Sequence, residues 1–145
     1  MTNTEILLDI RNLEVAFPDE KLNFTTVLKD IHLSLHKGET LGIVGESGSG
    51  KSLTSLAIMG LLPSNAKVQE GEILFGEADK KVDLLHLKSE KEFEKIRGNR
   101  ISMIFKEPMT SLNPVQRCGD QVAEVILLHR KCSRKEAHQL VIELF

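Results

Sequence analysis

An α/β fold organised around a phosphate-binding loop is predicted by three observations on this chain. Residues 45–52 read Gly45-Glu46-Ser47-Gly48-Ser49-Gly50-Lys51-Ser52 and fit G-x-x-x-x-G-K-[ST]. The apolar run Leu41-Gly42-Ile43-Val44 ends at the first loop glycine, as a buried strand should. Residues 53–62 then carry a helical pattern that Pro63 stops. The glycines let the backbone turn its N–H groups inward without a Cβ in the way. At a helix N-terminus those amides form an anion-binding nest, which the helix dipole favours. The pattern assigns Lys51 to the β- and γ-phosphates of a nucleoside triphosphate and the Ser52 hydroxyl to Mg²⁺. A Gly/Ser-rich turn matching by chance would have no reason to sit between a strand and a helix.

The elements follow in order. Residues 5–15 contain apolar pairs and alternation and read as a strand. Residues 19–26 are a polar interruption, a hairpin loop. Residues 27–35 set Ile31, Leu33 and Leu35 against Asp30, His32 and Ser34, which suits a second strand with one exposed face. Lys37-Gly38-Glu39 is a turn, followed by the phosphate-loop strand, loop and helix. Residues 63–70 form a loop, 71–75 a strand and 82–85 its partner across the turn at 76–81. Ser89-Glu90-Lys91-Glu92 is a capping box that opens a short helix ending at Gly98. Residues 101–105 are a nearly all-apolar run, read as another buried strand. Asn113-Pro114 pairs a cap residue with proline in a first helical turn. That helix sends Val115, Val122, Ile126 and Leu127 to a core. Ser133-Arg134-Lys135-Glu136 is a second capping box, opening a helix through Leu140, Val141 and Leu144.

At 145 residues the chain can bury a sizeable core, and 41% hydrophobic with 28% charged residues is a globular mix. A net charge of −2 offers no basic field, so nucleic acid is not an expected partner. Cys118 and Cys132 have no histidine at metal-ligand spacing and read as unpaired thiols of a reducing cytoplasm. The first residues lack a basic region before an apolar stretch, and no run is long enough to span a bilayer. A membrane role would therefore run through other subunits.

Three separated pieces resemble one family. They are residues 38–52, the segment Ala57-Ile58-Met59-Gly60-Leu61-Leu62-Pro63, and Ile96-Arg97-Gly98 with residues 101–114. Together they resemble the ATP-binding subunits of bacterial ABC importers, in the oligopeptide/dipeptide/nickel branch. Glu107-Pro108-Met109-Thr110-Ser111-Leu112-Asn113-Pro114 is the restrictive part. The resemblance runs from about Leu8 to the end and implies an ABC nucleotide-binding domain over 1–145. Its parts would be the phosphate loop at 45–52, a Q-loop region at 105–114 and the start of a helical subdomain at 114–145. The implied fold is a P-loop core sheet with an antiparallel β layer and a helical subdomain. The implied cofactors are ATP and Mg²⁺. Binding would fall to Phe17, Gly45, Glu46, Ser47, Gly48, Ser49, Gly50, Lys51, Ser52 and Leu53, with Ser52 also on the metal. By resemblance Phe17 holds the aromatic position that stacks on adenine, which a π face allows; the competing reading packs Phe17 within the β layer.

The resemblance further implies a head-to-tail pairing with a second nucleotide-binding subunit, identical or not. Each ATP would lie between one phosphate loop and the partner's signature motif. Two transmembrane permease subunits, and through them an extracytoplasmic solute-binding protein, complete the implied assembly. It would sit at the cytoplasmic, inner face of the membrane. Residues 107–113 and the helix after them would face the permease.

The chain departs from the family in three ways. The signature motif, the Asp-rich metal strand with its catalytic glutamate, and the switch histidine all follow this point in the family. None occurs here, and His32, His36, His86, His129 and His138 lack a matching context. The expectation is an N-terminal portion, incomplete at the C-terminus, with no catalytic residue of its own, which binds ATP without hydrolysing it. Lys106 replaces a glutamine whose carbonyl meets Mg²⁺ and the attacking water. Lysine has three donors and no acceptor. Unit charges about 4 Å apart interact by about 4 kcal/mol at an effective dielectric near 20. Lys106 thus marks either a weakened site or a side chain turned away. Leu53 replaces a frequent threonine and keeps only its backbone N–H, a modest loss.

The function expected is ATP binding, and in the family hydrolysis, coupled to peptide or nickel import. An alternative is a non-catalytic nucleotide-binding module that pairs with a complete ABC ATPase and regulates it. An unrelated guanine-binding P-loop protein is disfavoured, since no Asn-Lys-x-Asp motif is present.

Overall fold

The computed structural model describes residues 5–77, 80–106 and 111–145, which divide into two compact units, 1–89 and 90–145. The first is a four-stranded sheet with one helix. Strands β1 (Ile6–Pro18), β2 (Phe24–His36), β3 (Lys67–Phe75) and β4 (Val82–Asp83) lie in the order β2-β1-β3-β4, all antiparallel. This is the antiparallel β layer that the family resemblance implies. The apolar side chains at Ile10, Leu33 and Ile73 sit opposite one another across three strands. Ile10, Leu13, Val15, Leu28 and Ile73 are buried, with Ala57 of α1 (Lys51–Ile58), Met59 at its C-cap and Leu84 in the 3₁₀ turn Leu84–His86.

β1 and β2 run three residues further than the alternation suggests at the hairpin end, closed by an Asp19 side chain that accepts from the Lys21 and Asn23 amides at 2.8 Å each. The ladder is broken by bulges at Asn12 and Asp30, both at positive φ (48° and 51°). Gly71 of β3 faces the first of these. Its φ is 106°, and a Cβ there would lie 2.6 Å from the Leu13 Cα and 2.7 Å from the Asn12 carbonyl oxygen. Both are backbone atoms, so β1 and β3 approach closely only because residue 71 is glycine.

Asp9 is the buried polar residue of the sheet, 5% exposed. Ser34 Oγ donates to it at 2.7 Å from β2, and Arg11 Nε at 2.8 Å from its own strand. Arg11 reaches on to Glu72 of β3 at 3.0 Å, so one chain of polar contacts ties three strands. Burial raises the Asp9 pKa, but the hydrogen bonds from Ser34 and Arg11 and the Arg11 charge outweigh it.

Two expected buried strands are not strands. Residues 41–44 have no ladder partner among the described residues, and Leu41, Ile43 and Val44 are 43%, 49% and 97% exposed. Residues 101–105 make one parallel bridge, Arg97 to Ile101, and Ile104 is 93% exposed. A strand of a parallel sheet needs neighbours to take its N–H and C=O groups, and no described segment supplies them. α1 also ends before Pro63. Gly60, at φ 61°, donates to Ala57 O at 3.0 Å and Leu61 donates to Leu56 O at 2.8 Å, a Schellman closure that stops the helix at Ile58.

The second unit holds α2 (Glu90–Glu94), α3 (Cys118–His129) and α4 (Arg134–Leu144). Gly98 (φ 76°) does not cap α2. It shapes the following turn, its N–H donating to Ile101 O at 2.8 Å. Asn113-Pro114 does not open α3 either. Asn113 Oδ1 accepts from the Val115 amide at 3.1 Å, and the Gln121 side chain bonds the Asn113 N–H and C=O and the Gln116 C=O. The turn's polar groups are thereby satisfied without a helix, α3 starts at Cys118, and Val115 is 87% exposed instead of core. Val122, Ile126 and Leu127 pack as expected on Ala123, Ala137 and Val141. The capping box of α4 is present, with Ser133 N–H donating to Glu136 Oε2 at 2.7 Å and Glu136 N–H to Ser133 Oγ at 3.3 Å. α4 runs through Leu140, Val141 and Leu144 as expected, with Leu144 exposed.

Two outcomes follow for the sheet. Since the folded Asp9 titrates below its unfolded value near 3.9, its contribution is complete above about pH 4 and is lost as pH falls through the folded value. Denaturant midpoints measured from pH 7 to pH 2 should therefore fall less steeply on the acid side for Asp9→Asn than for the parent. Gly71→Ala should destabilise by about 2 kcal/mol or more, read from the same midpoints, because strain and backbone collision combine.

Candidate phosphate-binding site

The loop and helix grow from the first unit alone. Gly50 is the N-cap of α1, in the left-handed region at φ 91° and ψ −3°. A Cβ on it would collide with the Leu28 side chain, which is 2% exposed in β2. The loop thus rests directly on the sheet, and its last glycine is required twice over. Thr54, 6% exposed, fastens the other side: its N–H and its Oγ1 both donate to Gly50 O, at 2.9 and 3.0 Å.

No side chain caps α1. The amides of Gly50, Lys51, Ser52 and Leu53 have no hydrogen-bond partner among the described residues, although the loop lies at the surface. Unsatisfied first-turn donors at the positive end of a helix are what an anion binds. Lys51 brings its ammonium to the same place, donating to Gly45 O at 2.6 Å, Glu46 O at 2.7 Å and Ser49 Oγ at 3.1 Å. The donor set, four free amides and a cation, fits a phosphate chain. Ser52 is exposed and its hydroxyl makes no hydrogen bond among the described residues, so it can give one oxygen to a cation. One oxygen is far short of an octahedral shell. No group of three or more His, Cys, Asp or Glu able to hold a metal exists among the described residues. Mg²⁺ fits here only together with phosphate oxygens.

A cavity of about 500 Å³ adjoins the loop, walled by Ile31–Ser34 of β2, residues 41–45 and 49–51, and Thr54. Its wall carries no carboxylate among the described residues. Glu46, Ser47, Gly48 and Ser49 are exposed along the loop, and Leu53 is half-buried in α1. Phe17 is not in a loop. It is the penultimate residue of β1, half-buried opposite Thr25, and is not part of the cavity wall. Lys106 is exposed and belongs to the second unit. Residues 107–110 of the Q-loop region lie outside the described residues.

Leu28 and Thr54 were not singled out by the motif. Thr54 carries a readable signal, since it sits four residues after Gly50 where a helical side chain can reach back to a carbonyl. Leu28 lies 22 positions before Gly50 and carries none.

A glycine-rich loop opening a helix, with a lysine and a serine at its end and a sheet beneath, defines a P-loop fold. The chain belongs to the ABC transporter family, whose profile matches residues 28–144. It is 48% identical over 141 residues to the dipeptide transport ATP-binding protein DppD of Lactococcus lactis, covering 97% of this chain and 39% of that protein. It is 47% identical to the oligopeptide transport ATP-binding protein AppD of Bacillus subtilis (95% and 40%) and 45% identical to OppD of Escherichia coli (93% and 38%). The chain therefore spans about two fifths of the length of these relatives.

Substituting Gly50→Ala should expose the loop to proteases, because the new Cβ must displace either Leu28 or the N-cap conformation. Limited proteolysis should cut within residues 45–50 several times faster than in the parent.

Proposed function

We propose that this chain is the nucleotide-binding part of an ATP-binding subunit of a peptide (or nickel) importer. The observation that carries the reading is the uncapped start of α1, where four free amides and the Lys51 ammonium converge. The names of the relatives, dipeptide and oligopeptide transport ATP-binding proteins, give the substrate class. Bound ATP with Mg²⁺ supplies the transferable phosphoryl group and the neutralising charge. The amides of residues 50–53 hold phosphate oxygens, Lys51 donates to the β- and γ-phosphates, and the Ser52 hydroxyl offers an oxygen to the cation. The residues around them, Gly45 to Ser49 and Leu53, contribute backbone, and Phe17 contributes its ring to adenine.

Among the described residues no carboxylate lines the cavity to polarise a water, and on this reading the 145-residue chain binds ATP without turning it over. Coupled hydrolysis belongs to the assembled transporter. That assembly is a second nucleotide-binding subunit, two permease subunits contacted through residues 107–113 and the helix beyond, and indirectly a solute-binding protein. The chain works at the inner face of the membrane; among the described residues no helix is long and apolar enough to cross it.

Lys51→Ala should weaken binding of a fluorescent ATP analogue by about tenfold or more, because it removes the one side-chain charge on the phosphates. Equal affinity would sink the assignment. In the full-length subunit with its partners, Lys106→Gln should lower the Mg²⁺ concentration needed for ATPase activity several-fold, since an amide oxygen replaces an ammonium at the position where the family has glutamine. Identical Mg²⁺ titrations would show that Lys106 points away from the cation.

A further inference from the structure

The Lys51 ammonium has three N–H donors, and all three are taken by oxygens of its own loop, those of Gly45, Glu46 and Ser49. Phosphate oxygens would have to compete for the same donors. Two of the acceptors are backbone carbonyls and cannot leave without remodelling the loop. The third is a hydroxyl that one rotamer change removes.

Ser49 is held ready for this contact. Its N–H donates to Glu46 O at 3.2 Å, which tightens the turn. Its Oγ lies 2.7 Å from where a Cβ on Gly45 would be, so the hydroxyl reaches Lys51 only because residue 45 has no side chain. That position would also be 3.8 Å from Nζ. The lysine, the serine and the first loop glycine are thus fitted to one another as well as to an anion.

We propose that Ser49 is a positioning residue whose hydroxyl latches Lys51 inside the loop, and that a triphosphate binds by displacing this contact. The proposal rests on the reading of the loop as a triphosphate site. Ser49 then lowers the affinity of the loop for phosphate chains while keeping the ammonium aimed at their position.

Exchange of the Lys51 ammonium protons with water, followed by nitrogen-15 NMR on the 145-residue chain, reads the latch without any nucleotide. The signal is assigned by its loss in Lys51→Ala. Ser49→Ala should speed the exchange about threefold or more and Ser49→Thr should match the parent, since threonine restores the hydroxyl. Inorganic tripolyphosphate, titrated calorimetrically, should bind Ser49→Ala about threefold to tenfold more tightly, the scale of one hydrogen bond to a charged group partly replaced by water. Unchanged exchange in Ser49→Ala overturns the latch. Faster exchange with weaker tripolyphosphate binding also overturns it, because Ser49 would then be a direct phosphate ligand. Equal tripolyphosphate binding by the parent and Lys51→Ala would instead remove the triphosphate reading itself.

Discussion

Helix α1 begins at Lys51 with no described residue accepting from its first amides, and the rest of the first unit is arranged around that unsatisfied start. A helix end normally finds a side-chain oxygen at its N-cap. Here the N-cap is Gly50, which has none to offer and whose left-handed backbone aims the chain away from the helix axis. Glycine takes that conformation without strain but gives up backbone freedom when held in it. Leu28 from β2 and the Thr54 hydroxyl hold it there, one by contact and one by hydrogen bond. The loop's donors are left open because its N-cap residue has no side chain to close them.

The sheet meets this demand through its own irregularities. Leu28 belongs to the β2 stretch just before the bulge at Asp30, where the register against β1 shifts. On the far side of β1, the bulge at Asn12 is accommodated by Gly71. The polar chain Ser34–Asp9–Arg11–Glu72 pins the three strands to one side of both irregular points. A single hydrogen bond contributes about 1 kcal/mol, more when a charge is involved. Their shared role here is to hold register, which alternation alone leaves weak in a strand pair with a bulge on each strand.

Much of this was legible in the sequence where the cause is local. The two long strands, the turn at Gly38, the phosphate loop and the Ser133–Glu136 box all come from neighbouring residues. The misreadings have distant causes. Residues 41–44 carry a strand's composition, but a strand also needs a neighbour, and composition cannot supply one. Gly60 ends α1 before Pro63 can, because the Schellman bonds form first along the chain. Asn113-Pro114 carries a start signal that Gln121, eight residues on, diverts into a turn. At the site, Lys51 and Ser52 were named by pattern alone, while the support from Leu28 needed the hairpin to be folded before it could be seen.

The bulge at Asp30 has a bearing on solubility as well as on register. β2 is an outer strand of the sheet, and it displays Phe24 and Val27, 46% and 50% exposed. A long, flat outer strand with such side chains invites a neighbouring molecule to add its own strand and begin an aggregate. Asp30 at φ 51°, flanked by Lys29 and paired with His32 at 2.9 Å, interrupts that template with a twist and with charge. The same kink that seats Leu28 beneath the loop therefore also keeps one copy of the chain from zipping onto the next.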